Sequence, residues 1–175
     1  AVQLLNNFEF DLAFTSDLIR AQDTLRIILE GIGQTDIPIE KNMALNERDY
    51  GDLVGRNKTE AAEEFGAEQV HIWRRSYDVP PPGGESLKST ADRVIPYLRG
   101  VIMPHISEGK QVLISAHGNS IRAIVMVLQD YTPQQILKTE IGWCEPWIFN
   151  FENDVVKNLE ILSRPDCKSM SQLPD

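Results

Sequence analysis

Histidine and cysteine are scarce in this sequence, three and two among 175 residues, and positive charge is in deficit. Cys144 and Cys167 are too few and too oddly placed for a disulfide framework, so reduced thiols in a cytoplasmic protein are the expected state. No apolar run approaches the roughly 20 residues that cross a bilayer. The opening residues, AVQLLNNFEF, carry neither the basic stretch nor the long apolar core of a signal peptide. Lysine and arginine number 17 against 26 aspartates and glutamates, a formal charge of −9. A chain this acidic is not expected to hold nucleic acid or an anionic membrane as its main partner. It can still take a small anion wherever its few cations are gathered. Repeats and low-complexity tracts are also missing.

Hydrophobic residues make up 42% and charged residues 25%, an ordinary globular balance, and the length suits one domain with a sizeable core. Strand and helix patterns alternate along the chain. AVQLLNN reads as the last turns of a helix, and Phe10–Thr15 as a short apolar strand. Ser16 is placed to cap a helix whose Leu18, Ala21, Leu25, Ile28 and Leu29 share a face, with Gly31 as its stop. A second short strand, Ile37–Lys41, and helices over Lys58–Phe65 and Glu68–Ser76 lead to YDVPPPGG, where three prolines forbid helix. Ser86 is expected to cap a long helix reaching about His105. Gln111–Ser115 is almost wholly apolar, as for a central strand buried on both faces. A helix at Ser120–Gln129, another opened by Thr132-Pro133, and a hairpin of Trp147–Phe151 with Leu159–Leu162 complete the pattern. Residues 1–163 are expected to form one domain and residues 164–175 a flexible tail. The alternation implies an α/β three-layer sandwich with a mostly parallel central sheet, in which ligands sit at the carboxyl ends of strands.

The chemistry-bearing residues fall at those ends. In ISAHGNSIR, Ile114–Arg122, a buried strand gives way to His117 on the turn, and Gly118-Asn119 opens a helix. That arrangement aims an imidazole and free backbone N–H groups at one point, which suits an anion. A core histidine that happens to follow a strand is the plainer alternative. TSDLIRAQDT, from Thr15, repeats the layout, with Arg20 one turn into its helix and able to lean back toward the strand ends. Its guanidinium offers a two-pronged fork for phosphate. On the loop after the second strand, Glu47 lies beside Arg48, Asp49 and Tyr50, where a carboxylate can serve as general acid and base or simply join a surface ion pair. Arg74 and Arg75 stand side by side, an arrangement that repels unless an anion or solvent separates them, and Lys58 is a further cation.

Taken together, TSDLIRAQDT, LNERDYG, GRNK, WRRSYDVPPP, GGESL and AHGNSIRA resemble, in order and rough spacing, the cofactor-dependent phosphoglycerate mutases of the histidine phosphatase superfamily, from about Phe8 to Thr139. The resemblance implies the mutase-like α/β fold and an isomerase of glycolysis and gluconeogenesis that interconverts 2- and 3-phosphoglycerate through a phosphohistidine. It implies 2,3-bisphosphoglycerate as primer, no metal, and phosphoglycerates as partners, in a family whose members are commonly homodimers or homotetramers. Carried over residue by residue, it makes His117 the second active-site histidine, Arg20 a ligand of the same phosphoryl oxygens, and Glu47 the proton shuttle to the substrate hydroxyls. Arg48, Asp49 and Tyr50 would line the site. Lys58, Arg74 and Arg75 would grip carboxylate and distal phosphate, and Gly118 and Asn119 would add contacts. Asp49 stands where many relatives have histidine, a tolerable change if only its backbone matters.

Two departures stand out. The family's first strand ends in Arg-His-Gly, whose histidine accepts the phosphoryl group, and no such triplet occurs here. A first residue of alanine rather than methionine fits a chain that starts late. The resemblance puts that strand centrally, between Gln111–Ser115 and the C-terminal hairpin, so the chain as written is expected to be inactive. The second departure is the loop Glu140–Pro146, where Gly142-Trp143-Cys144-Glu145 replaces a smaller family sequence and changes the expected pocket rim. A phosphatase of the same superfamily, or a catalytically dead anion-binding remnant, are the competing readings.

Overall fold

Four uncharged residues, Leu12–Thr15, form strand β1, and three of them are buried. A strand so enclosed can lie only where partners flank it on both edges. The computed structural model, which describes residues 1–166 and 168–174 but not the side chain of Lys58, places it there. Strand β2, Ile39–Lys41, pairs parallel to one edge of β1, and β3, Val112–Ser115, pairs parallel to the other. The order is β2-β1-β3, with Ala13 opposite Ile39 and Leu113, and Thr15 opposite Ser115.

Parallel neighbours require crossovers, and helices supply them. Helix α1, Val2–Leu5, leads into β1, and α2, Ile19–Ile32, follows it. Ala21, Leu25, Ile28 and Leu29 of α2 are buried, a stripe at helical spacing, and Leu25 and Leu29 pack on Ala13 from one face of the sheet. The α/β expectation holds, and the limits of α2 shift for a physical reason. The helix runs past Gly31 and ends at Gly33, whose φ of 73° makes it the left-handed cap. Gly31 has another use: a Cβ there would lie 2.6 Å from a methyl of Val2, so its smallness lets α1 approach.

Two short helices, α3 (Lys58–Phe65) and α4 (Ala67–Arg75), pack on each other around Val70 and Trp73. Ser86 caps α5, Leu87–Tyr97, by accepting from Ser89 N–H. The predicted long helix continues through a wider, π-type turn at Leu98–Ile102 into α6, Met103–Ser107. Pro104 has no N–H to give to an ordinary helical ladder, so a change of winding just before it costs little. Helix α7, Gly118–Leu128, packs beside α5, and Phe14, Leu45, Val94, Leu98, Ile102, Ala123 and Ile124 close the core on the sheet's second face. Thr132 caps α8, Pro133–Lys138, through a reciprocal pair with Gln135.

β4, Trp147–Glu152, and β5, Val155–Ile161, form the predicted hairpin, turned at Asn153-Asp154 with φ of 51° and 64°. They form a separate two-stranded sheet. Between β3 and β4 lies a cavity of about 560 Å³ with an apolar wall that includes Val112, Ile114, Trp147 and Phe149. β3, expected to be buried on both faces, is only half-buried at Val112, Leu113 and Ile114, which line this cavity. Of the segment expected as a tail, Gln172 exchanges two backbone hydrogen bonds of 2.9 Å with Glu140, and Met170 and Ser171 donate N–H to Glu145. No helix among the described residues is long and apolar enough to cross a membrane.

Candidate active site

β1 and β3 run in register, so their carboxyl ends arrive together. Thr15 Oγ1 donates to the Ser115 carbonyl at 2.8 Å and fixes the two ends side by side. One residue further on, Ser16 Oγ and His117 Nε2 are 2.8 Å apart. The sequence suggested Ser16 as a helix cap. Its hydroxyl does accept Leu18 N–H at 3.2 Å, but α2 starts only at Ile19, and the same oxygen is also turned to His117. Ser16 was therefore missed as a site residue. Its signal was the matched pair of strand ends rather than any motif.

His117 caps α7, its own N–H donating to Ser120 Oγ at 3.1 Å, and it is 7% exposed. Burial pushes its pKa below the ordinary value of 6.5, and the positive charge of Arg20 pushes the same way, against the pull of the Glu47 carboxylate. Arg20 itself is exposed on the first turn of α2.

Across from the imidazole, three hydrogen bonds converge on Glu47 Oε1: from Arg48 N–H at 2.7 Å, Asn119 N–H at 3.2 Å and Asn119 Nδ2 at 3.0 Å. Oε2 faces Gly118, where a Cβ would lie 3.9 Å both from that oxygen and from Arg122 Nη1. Asn119 Nδ2 also reaches Tyr50 Oη at 3.2 Å, and the Arg48 guanidinium lies 4.5 Å above the Tyr50 ring. Arg48 is 5% exposed, and its Nη1 donates at 3.4 Å to the Trp73 carbonyl. Its Nε and that of Arg74 are buried and have no hydrogen-bond partner among the described residues. Buried guanidinium N–H groups of that kind call for an acceptor.

Of the other candidates, Asp49 is exposed. Its side chain accepts Gly51 N–H at 2.8 Å, while its backbone N–H and carbonyl bind Glu85. Gly51 has φ of 52°, and a Cβ on it would lie 2.1 Å from the Pro82 carbonyl, so only glycine lets the proline loop lie against the Glu47 loop. Arg75 points away from Arg74 and pairs with Glu140 at 3.1 Å, and Arg122, which received no role from the sequence, holds the same carboxylate at 2.7 Å. Lys58 begins α3, and its side chain lies outside the described residues. Trp143 is 86% exposed, so its bulk stands in solvent, and Cys144 next to it has φ of 56°. No cluster of metal-ligating residues occurs among the described residues.

A buried imidazole with a depressed pKa, beside guanidinium groups, can hold an anion and gain a proton in doing so. The sign follows directly. Without ligand, the folded chain resists protonating His117, so stability is lost as pH falls below about 6.5, where the unfolded chain's histidine takes up its proton. An anion beside the ring reverses the preference and raises the pKa. Sulfate, a dianion throughout, should therefore bind more tightly as pH falls from about 8 to about 5.5, a range spanning the ordinary histidine pKa. Calorimetry in two buffers should register the proton taken up, and His117→Asn should flatten the trend. A pH-independent sulfate affinity in the unaltered protein would contradict this account of the site.

Residues 1–161 match the model of the histidine phosphatase superfamily (branch 1). A protein of Nitrobacter hamburgensis named 2,3-bisphosphoglycerate-dependent phosphoglycerate mutase is 58% identical over 147 residues, covering 84% of this chain and 71% of that protein. One of the same name from Brucella anthropi is 54% identical over 155 residues, covering 88% and 75%. Among solved structures, Bacillus stearothermophilus YhfR superposes with a TM-score of 0.76 at 21% identity, covering 95% of this chain and 79% of that one. The alpha-ribazole phosphatase from Shigella flexneri gives 0.74 at 22% identity, covering 92% and 77%. These two likenesses concern the fold. The family model and the relatives' identity go further: the chain belongs to the histidine phosphatase superfamily, branch 1, and within it to the family of 2,3-bisphosphoglycerate-dependent phosphoglycerate mutases.

Proposed function

We propose that this protein interconverts 2-phosphoglycerate and 3-phosphoglycerate by relaying a phosphoryl group through an enzyme histidine, with 2,3-bisphosphoglycerate as primer, in the cytoplasm. The observation that carries the reading is the meeting of Glu47 and His117 at the start of α7. There a proton-carrying carboxylate, tied to Asn119 by two hydrogen bonds, faces a buried anion-holding imidazole. The names of relatives such as the Nitrobacter protein support the substrate.

The residues divide the work by their chemistry. Phosphoryl transfer asks mainly for positive charge around the equatorial oxygens. Arg20 and His117 hold those oxygens. Arg48 and Arg74, each with a buried Nε lacking a partner, take the distal phosphate or carboxylate. With Oε1 held by three donors, Glu47 uses Oε2 to exchange a proton with the glycerate hydroxyl. Arg75 reaches an anion only by leaving Glu140. Direct transfer between two hydroxyls of one small substrate would require both oxygens in line with one phosphorus, so a histidine relay splits one hard step into two easier ones. In this reading the relay histidine belongs to the Arg-His-Gly strand, a triplet that does not occur among the 175 residues.

The same arginines fit the primer, whose two phosphates and carboxylate match their unsatisfied N–H groups. When bound, the primer supplies the phosphoryl group that charges the relay histidine. The test is an assay of the full-length protein with 3-phosphoglycerate, with and without catalytic 2,3-bisphosphoglycerate. Primer-dependent appearance of 2-phosphoglycerate is expected. Release of inorganic phosphate without isomerisation would replace the mutase reading with a phosphatase.

A further inference from the structure

The loop that presents Glu47 has little regular structure. One 3-10 turn, Met43–Leu45, precedes it and another, Gly51–Leu53, follows. Hydrogen bonds to Oε1 can orient the carboxylate only if the backbone beneath it stays in place. An ion pair contributed from elsewhere in the sequence helps to hold that backbone from beneath.

Arg93, on α5, sends its guanidinium under the loop. Nη1 donates to the Ala44 carbonyl at 2.7 Å and to that of Met43 at 3.4 Å, and Nη2 donates to the carbonyl of Glu47 itself at 3.1 Å. Nε and Nη2 also fork onto Glu85, at 2.9 Å each. Glu85 then accepts from Asp49 N–H at 3.1 Å and Thr90 Oγ1 at 3.4 Å, while its own N–H donates to the Asp49 carbonyl at 2.8 Å. The pair thus grips the chain on both sides of Glu47, through carbonyls before it and the peptide two residues after it. Both side chains are about three-quarters shielded, at 23% and 25% exposure. Their opposite charges are spent on each other: the Arg93 hydrogen bonds hold the Glu85 carboxyl below the usual carboxylate range, against the effect of its partial burial. The pair is therefore poorly suited to attract an anion and well suited to fix a loop. Each bond lands on the main chain of the loop or on the other member of the pair, apart from the Thr90 hydroxyl.

Resting on the reading that Glu47 is the proton shuttle, we infer that Arg93 and Glu85 are positioning residues for the reaction: a clamp that sets the backbone of Glu47 so that its carboxylate meets Asn119 and the substrate hydroxyl together. Misplacing a reacting group by about 1 Å can cost on the order of 100-fold in rate. A lysine cannot reproduce a guanidinium that serves five acceptors in one plane.

The test is a cycle of variants in the full-length protein, assayed for 3-phosphoglycerate turnover. Arg93→Lys should lower kcat by about 10- to 100-fold while KM moves far less, and Glu85→Gln should do the same more mildly. In a Glu47→Gln background, Arg93→Lys should cost nothing further, because the group it positions is already disabled. A merely structural role would lower activity by the same factor in both backgrounds, and that additivity would overturn the inference. So would wild-type kcat in Arg93→Lys when Glu47→Gln is slow. If Glu47→Gln itself turns over normally, the shuttle assignment fails first and the clamp has nothing to position. Should Arg93→Lys fail to fold, the same cycle run with Glu85→Gln decides the matter.

Discussion

Glu47→Gln should slow phosphoglycerate turnover by about 10²- to 10⁴-fold, the range over which a positioned general acid or base acts, and leave substrate affinity largely intact. The amide is close to isosteric, and its oxygen can take the place of Oε1 in accepting from Arg48 N–H and from both donors of Asn119. The loop therefore keeps its shape, and the loss is confined to proton transfer. The second carboxylate position is where the substitution tells. Oε2 faces Gly118, and there the variant presents an NH₂ group that can neither take nor return a proton at neutral pH. Removing this negative charge also removes the pull that raises the His117 pKa. The imidazole should then be less readily protonated in the variant, while repulsion of an anionic substrate falls. Those two effects oppose each other in binding, which is why affinity should change little. Measured with 3-phosphoglycerate and primer, near wild-type kcat in this variant would take Glu47 out of the mechanism.

How much of this was legible in the sequence depends on what each residue touches. His117, Gly118 and Asn119 are adjacent in the chain and share one helix start, so a strand-turn-helix reading placed them correctly relative to one another. Arg20 was expected one turn into the helix after β1, but α2 starts only at Ile19, which puts Arg20 second in its first turn. The meeting of Glu47 with Asn119 spans 72 residues and came only through the family resemblance. The sequence alone left Glu47 as shuttle or surface ion pair. Arg93 was read only as part of a capped helix and Glu85 only as part of the GGESL motif, because their loop partners are backbone carbonyls and N–H groups, which leave no side-chain signature. Adjacent residues on a helix diverge by about 100°: Arg75 pairs with Glu140, whereas the Nε of Arg74 is buried without a hydrogen-bond partner among the described residues. The boundaries of α2 slipped because two glycines lie within three residues, and only backbone conformation distinguishes the packing glycine, Gly31, from the capping one, Gly33.

Phe14→Ala should destabilise the fold by about 3–5 kcal/mol, the usual cost of emptying a large aromatic site in a core. Phe14 is fully buried on β1, and its ring meets Tyr97 edge-on at 6.2 Å between centroids and the His105 ring at 5.9 Å. It lies in the cluster formed with Leu45, Val94, Leu98, Ile102 and Ile124, drawn from α5, α7 and the turn before the Glu47 loop. β1 itself is fixed by its parallel pairing with β2 and β3, and the neighbours are anchored on separate elements, so they can close only part of the space left by the ring. Total stabilities of single domains are about 5–15 kcal/mol, so the substitution would consume a large share of the reserve. Phe14→Leu keeps most of the volume and should cost about 1.5 kcal/mol or less. Urea midpoints for the two variants, read with their slopes, provide the comparison. The consequence reaches the site, because the next residues in the chain, Thr15 at the end of β1 and Ser16 just beyond it, hold the Ser115 carbonyl and His117. Sulfate binding should therefore weaken in Phe14→Ala even under conditions where the variant stays folded, and recover in Phe14→Leu. A Phe14→Ala protein that loses less than about 1 kcal/mol, well below the usual cavity cost, would mean that the core relaxes around the gap, and that the strand ends carrying Ser16 and His117 are not held rigidly from below.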